Sequence, residues 1–164
     1  MTYQQDKQLR RLLDLIHLDM DAVLAYEQAI LHLSDTEIEI IGALERFQKD
    51  HLRHIEELSI VVEQLGGEAP EFKRDAKGFL IEGMTAVMSR LGTRATLLAM
   101  TENEMLINVK YQLAIEADLD SKILALVHRN RADEQQHLTY ITKALKDSFA
   151  LSRAPASVET ASPH

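Results

Sequence analysis

The chain has no cysteine and no tryptophan, and its 164 residues include only three prolines and six glycines. Without cysteine there is no disulfide framework, no thiolate metal site and no cysteine nucleophile. So few helix breakers, beside abundant Leu, Ala, Glu, Ile and Met, predict an all-α protein. No uninterrupted apolar run is long enough to cross a bilayer, and the polar stretch Met1–Arg11 lacks the apolar core of a secretory signal, so a soluble, cytoplasmic protein is expected. Positive charge is scarce as well. Eighteen Lys and Arg face 26 Asp and Glu, a formal net charge of −8. That balance argues against nucleic acid or an anionic membrane as partner, since both need a basic face. The one basic cluster, Lys73, Arg74 and Lys77, lies beside acidic neighbours in a connecting segment and reads as solvated loop.

What is present is helical periodicity. The first segment, roughly Gln5 to Leu33, carries Leu12, Ile16, Asp19, Val23, Tyr26, Ile30 and Leu33 on one face. Ser34 and Asp35 break it, and Thr36 is the expected N-cap of a second helix that runs to about Leu65 and ends at Gly66-Gly67. Its stripe is Leu44, Phe47, His51, His54, Leu58, Val62 and Leu65. The connection from Gly66 to Lys77 is the longest inside the chain and predicts a crossover along a bundle. An apolar stretch from Phe79 to Leu91 adds a short extra helix to it. A third long helix spans about Thr93 to Ala117, with Leu97, Thr101, Glu104, Asn108, Tyr111 and Ile115 on its stripe. The fourth, about Ser121 to Phe149, carries Ile123, Val127, Asn130, Glu134, His137, Ile141 and Leu145. Residues 1–150 are thus predicted to form one domain, and the Ala, Ser and Pro composition of 151–164 predicts a disordered tail.

The two halves resemble each other. At an offset of 85, Asp19, Met20, Tyr26, Ala29 and Ile30 match Glu104, Met105, Tyr111, Ala114 and Ile115; at 83, Arg46, Asp50 and His54 match Arg129, Asp133 and His137, with His51 against Glu134. Two pseudo-twofold-related hairpins bring their stripes face to face. Each stripe is interrupted near its middle by groups able to bind a metal: Asp19, His51 and His54, Glu104, and Glu134 and His137. Ionisable groups on core positions cost several kcal/mol each unless compensated, so a matched set across four helices implies a shared partner. Pairs three residues apart, His51/His54 and Glu134/His137, project from one helix face toward one point. Carboxylate oxygen with imidazole nitrogen suits iron, manganese or zinc better than calcium or magnesium.

On these residues the chain resembles the ferritin-like superfamily of ferritins, bacterioferritins and rubrerythrins, in which two helices each give one carboxylate and two give a Glu-x-x-His pair. Within it the chain is most similar to a bacterial subfamily of stress-associated four-helix-bundle proteins. The resemblance covers about Leu9 to Leu145. It implies an antiparallel four-helix bundle of two hairpins, with a metal site carried over at Asp19, His54, Glu104, Glu134 and His137. The implied activity is iron oxidation by dioxygen or peroxide, and the implied assembly a homodimer. His51 departs from the pattern, standing where the family motif has glutamate. Asp19, Glu104 and Glu134 therefore leave two divalent ions one negative charge short, which a hydroxide bridge or a single bound ion would resolve. Asp19 is a methylene shorter than glutamate, so Glu27 and Glu102 are its alternates.

Each residue also has a plainer reading. Tyr26 and Tyr111 serve either as radical or proton relays or as large core residues with a bonded hydroxyl. Three imidazolium groups could neutralise three carboxylates in a metal-free hydrogen-bonded core, which requires every one to stay protonated near neutral pH. Under that reading the protein is a non-enzymatic bundle acting in stress or partner binding. His17, His32 and His128 fall on or near polar faces and are expected to be solvated.

Overall fold

A computed structural model describes residues 3–72 and 92–151. Four helices account for nearly all of them: α1 (Tyr3–His32), α2 (Ile38–Gln64), α3 (Gly92–Ile115) and α4 (Ser121–Leu151). Short connections at 33–37 and 116–120 fold α1 with α2 and α3 with α4 as hairpins, whose extensive internal contacts are joined by α1 against α3 and α2 against α4. This is the expected ferritin-like four-helix bundle. The short extra helix predicted between Phe79 and Leu91, the basic cluster at 73–77 and the tail at 152–164 lie outside the described residues. Among the described helices, none is long and apolar enough to cross a membrane.

The helix boundaries follow local chemistry, with one correction. Gly66 ends α2 in the left-handed region, φ 78°, and the Gly67 amide donates to the Val62 carbonyl at 2.9 Å. A Cβ on Gly67 would stand 2.6 Å from Leu9 Cδ2 and 3.2 Å from the Val62 carbonyl oxygen, so a larger residue there would have to push the Leu9 side chain aside. Thr36 is not the N-cap of α2. Glu37 holds that position without a side-chain cap bond, while the Ser34 and Thr36 hydroxyls bond each other at 3.0 Å, and so neither is spent on the free amides of the helix.

The stripes face inward as their spacing requires, buried at their centres and partly buried at residues such as Ile30, Phe47, Leu65 and Leu145, in two apolar clusters. One holds Leu12, Ile16, Leu58, Val62, Ile107 and Val127. The other holds Tyr26, Ala29, Leu44, Leu97, Met100 and Ile141. Between them in sequence on α2, α3 and α4, and within the first cluster's span on α1, fall the interrupting polar groups. Apolar packing on both sides leaves those groups away from bulk water, where each must find a partner or carry a desolvation cost.

Candidate metal centre

The six expected side chains meet. Asp19, His51, His54, Glu104 and Glu134 are 0% exposed and His137 is 1% exposed. They form two overlapping groups, in each of which one donor atom per residue lies within 4.8 Å of the others: Asp19, His51, His54 and Glu134; and His51, Glu104, Glu134 and His137. His51 and Glu134 belong to both. Asp19 reaches despite its shorter side chain. The alternates Glu27 and Glu102 stand on the solvent faces of α1 and α3 and belong to neither group. His17 and His128 are exposed, and His32 is partly buried with Nδ1 2.6 Å from the Gln28 carbonyl.

The outer partners of the histidines follow the pseudo-symmetry and cross between hairpins. His54 Nε2 lies 3.2 Å from Asp133 Oδ2, and His137 Nε2 lies 3.2 Å from Asp50 Oδ2. A ring N–H given to an outer carboxylate leaves Nδ1 facing inward, the arrangement that fixes the tautomer of a ligating imidazole. Arg53 holds both carboxylates, with one nitrogen 2.8 Å from Asp50 and 2.9 Å from Asp133. The inner carboxylates are oriented from across the bundle too. Tyr26 donates to Glu104 Oε1 at 2.6 Å, and Tyr111 donates to Asp19 Oδ2 at 2.6 Å. Asn108 Nδ2 donates to the Glu104 and Glu134 carbonyls, both at 2.9 Å, tying α3 to α4 at the level of the site.

Asp50 and Asp133 are legible from the repeat as residues able to orient the histidines. Arg53 and its double role are not, because its second target lies 80 residues away on another helix. Its only sequence signal is the three-residue step from Asp50. Arg53→Ala should leave the bundle folded but weaken metal affinity by about 10- to 100-fold, the usual cost of losing an outer partner. Equilibrium dialysis of the variant against zinc measures it, and unchanged affinity would show that the aspartates hold the rings without the guanidinium.

The inner faces are different. His51 Nε2, His54 Nδ1, His137 Nδ1, Glu104 Oε2 and both oxygens of Glu134 are buried without a hydrogen-bond partner among the described residues. Several lie close to one another: His54 Nδ1 is 3.0 Å from Glu134 Oε1, and His137 Nδ1 is 3.4 Å from Glu134 Oε2. Proximity without the alignment of a hydrogen bond leaves these polar atoms converging on a common volume. Unpaired buried polar atoms are rare and each needs an explanation. Divalent iron, manganese or zinc fits this donor set, since all three accept mixed imidazole and carboxylate ligands.

Electrostatics separate residues that look equivalent. Burial favours neutral groups, but for Glu134 the charges of His51 and His137 and the proximity of His54 prevail and hold its carboxyl well below the usual range. For Glu104, burial and the charge of Glu134 outweigh the neighbouring histidines and raise it. Burial also opposes the charged forms of His51 and His54, yet the carboxylates around them win: Glu134, Asp19 and Glu104 push His51 well up, and Asp19 and Glu134 push His54 up to about 9. Tyr26 and Tyr111 are raised by burial and by their carboxylate partners, so both phenols keep their protons.

A pH dependence follows for the metal-free protein. A histidine raised by folding contributes its full stability below its unfolded value, near 6.5, and loses it as pH climbs through the folded value. Chelator-treated protein should therefore lose stability between pH 6.5 and about 9, by up to about 1.4 kcal/mol per pH unit for each such histidine. Urea midpoints across that window test this, and a flat or rising profile would contradict it. Metal affinity should move the opposite way, strengthening as pH rises, because protons compete for the same nitrogens.

The fold is matched by a solved structure, the bacterioferritin of Desulfovibrio desulfuricans, described with its diiron site in different catalytic states; the alignment covers 100% of this chain and 99% of that one at a TM-score of 0.76 and 20% identity. No curated protein matches the sequence. A family model described as domain of unknown function DUF2383 matches residues 7–117. That span carries three of the four helices, α1 from residue 7 on, and four of the six side chains of the candidate centre, and by it the chain belongs to the DUF2383 family.

Proposed function

We propose that this protein binds iron in the core of its ferritin-like bundle and lets dioxygen or peroxide oxidise ferrous ion there, a ferroxidase- or peroxidase-type activity suited to iron handling or stress. The observation that carries this reading is the set of orphaned donor atoms on His51, His54, Glu104, Glu134 and His137, turned toward one another inside a packed core. His54 and His137 would hold metal through Nδ1, with Asp133 and Asp50 fixing the rings from behind. Asp19 lines one group and Glu104 the other, and Glu134 faces both. Iron bound among them supplies the electrons that the oxidant takes up. The carboxylates balance its charge, the apolar clusters limit water, and Tyr26 and Tyr111 keep protons at the wall carboxylates as candidate relays. A homodimer is the assembly we expect, and the outward Leu98, Leu106, Val109 and Leu113 of α3 offer apolar surface for it.

Iron-free protein given ferrous ion should retain it through gel filtration and consume dioxygen faster than ferrous ion alone. Retention without accelerated consumption would reduce the reading to metal binding; neither would remove it.

The metal-free alternative also has a specific observation behind it. His51 Nδ1 is hydrogen-bonded to Asp19 Oδ1 at 2.9 Å, and His51 and His54 are both held toward their charged forms. These two cations offset part of the carboxylate charge without any ion. A non-enzymatic bundle of this kind would show full stability after chelation and no uptake of zinc, manganese or iron.

A further inference from the structure

Among the described histidines, His51 alone has both ring nitrogens turned inward. Nδ1 lies 2.9 Å from Asp19 Oδ1 and 3.4 Å from Glu134 Oε1, on the side of the first group; Nε2 has no hydrogen-bond partner and lies 3.7 Å from Glu104 Oε1, on the side of the second. His54 and His137 each commit Nε2 to an outer aspartate and so can serve one ion only. Among the described residues, no outer carboxylate holds His51. Its ring stands between theirs, with centroids 5.8 Å from His54 and 5.3 Å from His137.

Charge points the same way. Asp19, Glu104 and Glu134 supply three negative charges to the two groups, whereas two divalent ions bring four positive ones. A neutral imidazole binds one ion through one nitrogen; binding through both requires loss of its last N–H proton and adds the fourth negative charge. We propose that His51 is a bridging ligand, joining two divalent ions through Nδ1 and Nε2 as an imidazolate, with Glu134 beside it, its Oε1 toward His54 and its Oε2 toward His137. The inference rests on the metal-binding reading above and adds its nuclearity and the identity of its bridge. The protons leave His51 for solvent as the ions enter, and no redox change is involved.

Zinc is the probe, being diamagnetic and without redox chemistry. Equilibrium dialysis should give two zinc ions per chain for the wild type and for His51→Glu, which restores a bridging carboxylate, and no more than one for His51→Ala. Nitrogen-15 NMR of the zinc-loaded wild type should show both ring nitrogens of His51 metal-bound and neither carrying a proton. That second readout does not depend on any variant folding. One zinc in the wild type with two in His51→Glu would overturn the proposal and make His51 the occupant of an ion's place. Two zinc ions in His51→Ala, or a surviving N–H on His51, would overturn it as well. If no form binds zinc, the metal-binding reading falls along with it.

Discussion

Glu134→Gln should remove metal binding from both groups and destabilise the metal-free protein, while Glu104→Gln should leave the metal-free protein at least as stable as the wild type to within about 1 kcal/mol. Side-chain chemistry alone treats the two glutamates as equal, each a like charge whose removal should leave the fold intact or firmer. Their surroundings differ. Glu134 lies within 3.0–3.4 Å of nitrogens on His51, His54 and His137, and its carboxyl is held far down toward the ionised form. Neutralising it strands two protonated imidazoles, and removing one partner of a buried ion pair costs about 3–5 kcal/mol. For a chain of this length each kcal/mol shifts Tm by roughly 2–4 °C, so a fall of roughly 6–20 °C is expected in chelator. Glu104 is raised instead, by burial and by repulsion from Glu134. Its amide would keep an oxygen for the Tyr26 hydroxyl, now 2.6 Å away, and relieve that repulsion. Calorimetry of both variants with and without chelator decides the matter. Equal destabilisation would mean that the two carboxylates share one environment, and retained zinc binding in Glu134→Gln would show that it is not the common ligand.

The second large effect is that of metal on the intact protein. A ligand that binds only the folded state stabilises it by RT ln(1 + [L]/Kd), about 4 kcal/mol at a thousandfold excess over Kd. At roughly 2–4 °C per kcal/mol, saturating zinc or manganese should raise Tm by roughly 8–16 °C over chelated protein. Calcium and magnesium should do much less, because imidazole is a poor ligand for both. Thermal scans of one preparation against a series of divalent ions test selectivity and binding together. Equal shifts with calcium and zinc would locate the effect in surface carboxylates and not in the imidazole-containing core.

Much of the fold is written in the 3.6-residue period. Asp19 between Ile16 and Val23, or Glu134 between Val127 and Ile141, is recognisable as an inward polar group because its neighbours one or two turns away are inward and apolar. Three-residue steps place His51 with His54 and Glu134 with His137, and the repeat sets the hairpins against each other, so the membership of the cluster is legible. What the period does not carry is anything that depends on distances between helices. Thr36 has the residue type of a cap, but the turn geometry of 33–37 puts Glu37 at that position and pairs the Thr36 hydroxyl with Ser34. Asp19 raises doubt by its length and is sufficient because α1 brings it within 2.9 Å of His51. Glu27 and Glu102 lie near the stripes in sequence, yet one helical step of about 100° carries them to solvent. The contrast between Glu134 and Glu104 depends on three imidazoles converging on the first more closely than on the second, which only the packed bundle determines.

The duplication is incomplete at one place that matters. At the offset of 83 the counterpart of Arg53 is Gln136, so a single guanidinium steadies the aspartates behind both His54 and His137. Two rings on different helices thus share one tether at the protein surface, and a shift there reaches both together. Loss of that tether should therefore disturb both halves of the centre at once, and not one of them alone.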